Sequence, residues 1–201
     1  SVYSLQGSQT KDRYQLKDMM LVDHEIIKAY TDRNIGISPF CNKQVNPNSY
    51  DVTLSDQFYP MDFQGLIDPH EKMPFGNTYT MDTFVIKPQE HILASTIETI
   101  HLTNGYVAML NGKSSWGRLG ITIHQTAGFV DSGFHGQLTL EIFNVNRYAS
   151  VILRKGDRIG QLIFFKVNQC DLTYDQILSS KYYGQEGVTL SKYYEGYNHG
   201  L

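Results

Sequence analysis

The sequence is poor in cysteine. Cys41 and Cys170 are the only two among 201 residues, and neither sits in a C-x-x-C pair. That excludes a disulfide framework and a structural zinc site, and fits a reducing, cytosolic setting. Long apolar runs are missing too. No stretch approaches the roughly 20 residues needed to span a bilayer, and there is no signal-peptide pattern. Basic excess is also absent: 17 Lys and Arg stand against 20 Asp and Glu, a formal charge of −3. That argues against duplex nucleic acid as a partner, and any polyanion must be gripped by a few placed residues. Seven histidines, His24, His70, His91, His101, His124, His135 and His199, are scattered without metal-ligand spacing and read as structural or surface groups. The H-x-E and P-C-x-x-C pair of a zinc nucleobase deaminase is not there.

What is present is an ordinary globular composition, 41% apolar and 18% charged, in a length that favours one domain. Residues 1–19 are polar and aperiodic, and read as a flexible N-terminal extension or a cloning remnant, with Met19 or Met20 as a native start. A short helix is expected over Asp23 to Asp32, with Asp23 as a capping residue. After the turn-forming Asn46-Pro47-Asn48, alternation predicts a strand at Tyr50 to Leu54. Ser55 to Thr80, rich in Pro, Gly and Asp, is expected to be irregular. From Phe84 onward short apolar runs recur between turn signals, as in a sandwich or barrel-like β fold over residues 20–170. The Tyr-, Gly- and Ser-rich residues 171–201 have no apolar period and read as a mobile segment that a ligand would order.

Four places carry candidate chemistry. Gly112-Lys113-Ser114-Ser115-Trp116-Gly117-Arg118 packs two hydroxyls and two cations into a few residues, which suits an anion, although it lacks P-loop spacing. A polar turn with a helix start at Ser114 accounts for the same residues equally well. The stretch Thr126 to Asn144, TAGFVDSGFHGQLTLEIFN, is a turn followed by a strand. Leu138, Leu140 and Ile142 alternate with Gln137, Thr139 and Glu141, so Glu141 is either a solvated residue or a pocket group, and Asp131 either shapes the corner or binds. Gln161, in an apolar run, needs hydrogen-bond partners. Finally, Ser180 to Gly187 places Lys181 and Gln185 among tyrosines on the tail, as a lid over a charged ligand would require.

Taken in order, VNPNSYDVTL, EHILASTIETIHL, GKSSWGRLG, TAGFVDSGFHGQLTLEIFN, GDRIGQLIF and SKYYGQEG resemble the successive blocks of the dCTP deaminase family, within the trimeric dUTPase superfamily. The resemblance runs from about Met20 to Lys192. It implies a mainly β, distorted barrel or jelly-roll with a few short helices, assembled as a homotrimer with active sites between subunits. It implies a hydrolase of nucleotide metabolism that converts dCTP and water to dUTP and ammonia without zinc, with Mg2+ carried on the triphosphate and dTTP as an inhibitor. By matching position it makes Glu141 the proton-handling carboxylate. Ser114, Arg118 and the Ala127 backbone hold the water and the tetrahedral intermediate. Lys113, Ser114, Ser115 and Arg118 form the phosphate-binding and catalytic turn, and Asp131 faces the deoxyribose. Thr139, Leu140 and Glu141 line the base pocket, and Gln161, Tyr174, Lys181 and Gln185 contact phosphates. Family members reading Thr-Ala-Gly-(Phe or Trp) also cleave dUTP to dUMP and pyrophosphate, whereas deaminase-only members tend to read Thr-Ala-His-Arg. This chain has Thr126-Ala127-Gly128-Phe129. A dUTPase alone, or a nucleotide-responsive regulatory protein, are the alternatives on this scaffold. The carboxylate at Glu141, where dUTPases usually carry an apolar residue, favours the deaminase. Ser132, Trp116 and the Val188-Thr189-Leu190-Ser191 stretch depart from the family's common residues.

Overall fold

A computed structural model of the chain describes residues 20–72, 76–177 and 180–196; the expected extension, 1–19, lies outside them. The chain opens with α1 (Asp23–Thr31), whose Ile26 and Ala29 face the core. Asp23 is the first helical residue rather than the cap. The helix start is tied instead by Glu25, whose carboxylate accepts a hydrogen bond from the Val22 amide at 3.0 Å. Then come β1 (Ile35–Ser38), β2 (Val45–Asn46), β3 (Ser49–Pro60), β4 (Tyr79–Thr80), β5 (Thr83–Ile86), β6 (His91–Leu102) and β7 (Tyr106–Gly112). A one-turn helix, α2 (Ser114–Arg118), leads to β8 (Ile121–Thr122), β9 (Phe129–Val130), β10 (His135–Asn144), β11 (Val151–Arg154) and β12 (Arg158–Lys166).

Among the described residues the main sheet runs β8-β10-β6-β3-β12-β7-β9, with β1 on β6 and β2 and β4 on β3; β5 and β11 form a separate pair. The long strands β3, β6, β10 and β12 supply the framework. Strand β3 continues six residues past Leu54 to Pro60, so the irregular region starts later than expected. Phe58 and Tyr59 are both buried there, and paired residues on both faces override the Pro- and Asp-rich local signal. The core gathers Tyr50, Phe58, Leu102, Leu140, Leu162 and Phe164 with many aliphatics. Burial of an aliphatic or aromatic side chain of this size contributes about 1.5–3 kcal/mol. Burial raises the Tyr50 hydroxyl to about 12, even though that hydroxyl accepts the Cys41 amide at 2.9 Å.

Strand β10 alternates as read from the sequence. Leu138, Leu140 and Ile142 are buried, and Thr139 and Glu141 are only partly covered. Its end is fixed by Asn144, which is fully buried. The Asn144 amide donates to Ile86 O, Lys87 O and Ala149 O, and its oxygen accepts from the Asn146 amide at 3.0 Å. Asn144→Leu strips these partners at once. It is expected to lower folding stability by about 2–4 kcal/mol, read as a reduced urea midpoint.

Candidate active site

A cavity of about 520 Å³ opens over the polar face of β10. Its floor is Thr139 and Glu141 on β10 and His91 and Leu93 on β6. These meet because Glu141 pairs with Leu93 and Thr139 with Ser95 across the two strands. One wall is the turn Gln125 to Asp131, and the far wall is Tyr174, Tyr182, Gln185 and Thr189. The Glu141 carboxylate accepts one hydrogen bond, from the Gln125 amide at 2.7 Å. That bond fixes the turn to the floor and leaves the remaining acceptor positions free for a ligand. The turn also lies hard against β7. The Leu110 amide donates to Gly128 O at 2.6 Å, and a Cβ at Gly128 would stand 2.7 Å from Leu110 O. Only glycine fits this approach, and a larger residue there moves the turn away from β7.

The Lys113 to Arg118 turn makes a second cluster and does not line that cavity. Lys113 Nζ lies 2.5 Å from Asp51 Oδ1, and Arg158 stands 3.6 Å from the other oxygen of the same carboxylate. Asp51 is 1% exposed and also accepts from Asn46 Nδ2 at 2.8 Å. A buried carboxylate needs such partners. Gln161 sits alongside, accepting from Ser49 Oγ at 3.0 Å and donating to Gly112 O at 3.2 Å. Trp116 Nε1 donates to Arg158 O at 2.9 Å and pins the short helix. Ser114, Ser115 and Arg118 are exposed, and among the described residues their side chains have no hydrogen-bond or ion-pair partner. They are thus free to meet an incoming group.

The tail returns over β10. Gln185 forms a parallel bridge with Gly136, and its amide donates to Gln137 O at 2.5 Å. Gly187 N donates to Gln137 Oε1 at 2.5 Å, and Thr189 N donates to Thr139 Oγ1 at 3.2 Å. Tyr174 accepts from the Tyr182 amide at 3.1 Å, and burial pushes its phenol up. Gly136 has φ +150, and a Cβ there would meet Gln185 O at 2.9 Å, so the strap depends on that glycine.

The family model described as dCTP deaminase-like matches residues 20–167. The chain is 39% identical over 181 residues to a protein of Methanoregula boonei named "dCTP deaminase, dUMP-forming", covering 88% of this chain and 98% of that one. The chain belongs to the dCTP deaminase-like family. A protein of the same name from Tropheryma whipplei is 40% identical over 181 residues, covering 86% of this chain and 92% of the relative. Among solved structures, the 2′-deoxycytidine 5′-triphosphate deaminase of Agrobacterium tumefaciens superposes with a TM-score of 0.60 at 22% identity, over 80% of this chain and 52% of that one. That likeness concerns the fold alone, and the mainly β architecture with a few short helices is the one expected from sequence.

Within this dCTP deaminase-like chain the expected site residues separate into groups. Ala127, Asp131, Thr139, Glu141, Tyr174 and Gln185 surround the cavity. Lys113 and Gln161 stand at Asp51 instead, and Ser114, Ser115 and Arg118 are exposed on the short helix that follows Lys113. The Leu140 side chain is fully buried in the core, so of that residue only the backbone is left to face a base. Lys181 donates to Tyr193 O at 3.1 Å, with its cation 5.0 Å from the Tyr193 ring, within the tail itself. Sequence reading passed over Asp51, Gln125, Gln137 and His91. Asp51 alone carried a signal, a carboxylate inside an apolar strand. Among the described residues no group of three or more His, Cys, Asp or Glu is placed to hold a metal, and no helix is long and apolar enough to cross a membrane.

Proposed function

We propose that this chain deaminates dCTP to dUTP and ammonia, and goes on to cleave dUTP to dUMP and pyrophosphate. The observation that carries the reading is Glu141, a carboxylate on the floor of the cavity with a single hydrogen bond. The "dUMP-forming" name of the relatives and the Gly128 turn support the second activity. In the reaction, water adds to C4 of cytosine as its proton passes to Glu141. The C4–N4 bond then breaks as that proton moves to the departing amine. A positioned acid–base group of this kind is worth about 10²–10⁴-fold. The Ala127 backbone, Ser114 and Arg118 hold the water and the tetrahedral intermediate, whose extra electron pair rests on the ring. Asp131 faces the deoxyribose and Thr139 the base. Lys113, Ser115, Gln161, Tyr174, Lys181 and Gln185 meet the phosphates, with Lys113 and Lys181 exchanging Asp51 and Tyr193 for them. Mg2+ arrives as the companion of the triphosphate, as part of the substrate.

The separation of Arg118 from Glu141 supports a site shared between subunits of a homotrimer, with the Lys113–Arg118 turn of one subunit completing the cavity of its neighbour. Two apolar side chains paired across β7 and β9 beside that cavity, Met109 at 41% and Phe129 at 57% exposure, suit such a contact. Residues 171–201 act as the lid. Gly136→Val, which pushes Gln185 off β10, is expected to raise KM for dCTP about tenfold in steady-state kinetics. The function itself is tested by ammonia release from dCTP with magnesium. Cleavage of dUTP without ammonia from dCTP would instead make the chain a dUTPase, and binding of dCTP or dTTP without any turnover would make it a regulatory protein.

A further inference from the structure

Lys113 cannot reach a phosphate without leaving Asp51. The Asp51 side chain is only 2% exposed, and its Oδ1 meets both Lys113 Nζ at 2.5 Å and Asn46 Nδ2 at 2.8 Å. Taking the one close cation away from a buried carboxylate is strongly unfavourable unless another replaces it. Among the described residues, Arg158 is the only other cation paired with this carboxylate. Its Nη1 stands 3.6 Å from Oδ2, which is within ion-pair range and too long for a hydrogen bond. Oδ2 accepts no hydrogen bond among the described residues, so a place for a closer donor is open. Strand pairing explains why Arg158 is there. Arg158 lies opposite Thr53 and Gln161 opposite Asp51, with a register shift between Arg158 and Gly160. Residues three apart on a regular strand face opposite ways; the shift returns Arg158 to the face of Asp51 and Gln161. The Arg158 main chain is fixed, because its carbonyl accepts from Trp116 Nε1 at 2.9 Å. Its side chain is 47% exposed and has no other partner among the described residues.

We propose that Arg158 is a positioning residue for triphosphate binding: it closes on Asp51 as Lys113 leaves for the phosphates, and so keeps the buried charge paired. This rests on the deaminase reading, in which Lys113 meets the phosphates, and adds to the same site a residue that acts through Asp51. One cation replaces another; no proton moves and no covalent bond changes. A guanidinium suits the task, because it stays charged and its fork of donors can serve a carboxylate oxygen without leaving the surface. The triphosphate gains Lys113, and Asp51 is not left as an isolated charge.

The test is steady-state kinetics on dCTP with wild type, Arg158→Gln and Arg158→Lys, and with Arg158→Gln added to Asp51→Asn. Glutamine keeps a polar side chain and removes the charge; lysine restores a cation. The expected result is a KM about tenfold higher for Arg158→Gln with kcat within about twofold of wild type, recovering to within about threefold in Arg158→Lys. Asp51→Asn protein has no charge to keep paired, so adding Arg158→Gln to it changes KM by less than about twofold. Thermal unfolding of each protein is followed in parallel. Where Asp51→Asn does not fold, the comparison is made in Lys113→Met protein, from which no cation departs on binding. The proposal is overturned by a KM within about twofold of wild type for Arg158→Gln, by an effect confined to kcat, or by a lysine variant no better than glutamine. It is also overturned by a KM rise that persists without the Asp51 charge, which would put Arg158 on the phosphates themselves. A wild-type protein that releases no ammonia from dCTP overturns the deaminase reading instead, and the same variants are then compared on dUTP, whose triphosphate draws on Lys113 in the same way.

Discussion

Glu141→Gln is expected to lower kcat for dCTP deamination by about 10³-fold or more. The substitution is nearly isosteric. Its oxygen still accepts the hydrogen bond that the Gln125 amide gives Glu141 at 2.7 Å, so the Gln125 to Asp131 turn stays docked. What is lost is the ability to take a proton from water and return it to the amine. Removing a group that acts only in the transition state lowers kcat and kcat/KM together. Single-turnover conversion of dCTP, with thermal unfolding as the check on folding, measures it. A variant that turned over at the wild-type rate would take Glu141 out of the mechanism.

The second large effect is a gain. Arg118→Ala alone removes a charge from the proposed intermediate and is expected to cost about 10²–10³-fold in kcat. Mixing Arg118→Ala with Glu141→Gln protein, after dissociation and reassembly, is expected to restore activity. A site built from Arg118 of one subunit and Glu141 of the next is intact wherever a Glu141→Gln subunit supplies Arg118 and its Arg118→Ala neighbour supplies Glu141. Random mixing of the two proteins makes about a quarter of the sites intact. Restoration to that level requires a shared site, whereas activity that stays at the level of the inactive parents means that both residues serve one subunit. The exposed, uncommitted Arg118 and the pocketed Glu141 motivate the experiment.

The three carboxylates set in apolar strands show how far the sequence could be read. Asp51, Glu98 and Glu141 carry the same local signal. Glu98 is buried and satisfied by Gln44 Nε2, the Thr53 amide and the Thr53 hydroxyl, at 2.7–2.9 Å. Asp51 is buried and ion-paired to Lys113. Glu141 alone of the three faces the cavity. Only Glu141 is singled out from sequence, and the fates of all three depend on cross-strand neighbours far away in sequence, which periodicity does not encode. The α1 helix, the β10 pattern and the mainly β class were legible because each follows from local spacing. The Ser55 to Pro60 half of β3 was not, because its pairing with β6 outweighs its composition. Leu140 was placed in the base pocket through the block it belongs to, although its own alternation with Thr139 and Glu141 already sent its side chain to the core. His91 left no trace, since a lone histidine at the start of an apolar run looks like any other surface or core imidazole. Gln137, which grips the tail through its backbone and its side chain, read only as the polar half of an alternating strand.

The most direct measurement is chromatography of the products formed when the pure wild-type protein receives dCTP and magnesium as its only nucleotide. Deamination followed by cleavage gives dUMP, pyrophosphate and ammonia, with ammonia matching the dCTP consumed. Unreacted dCTP under conditions in which the same preparation cleaves added dUTP would contradict the assignment of the Glu141 cavity to deamination.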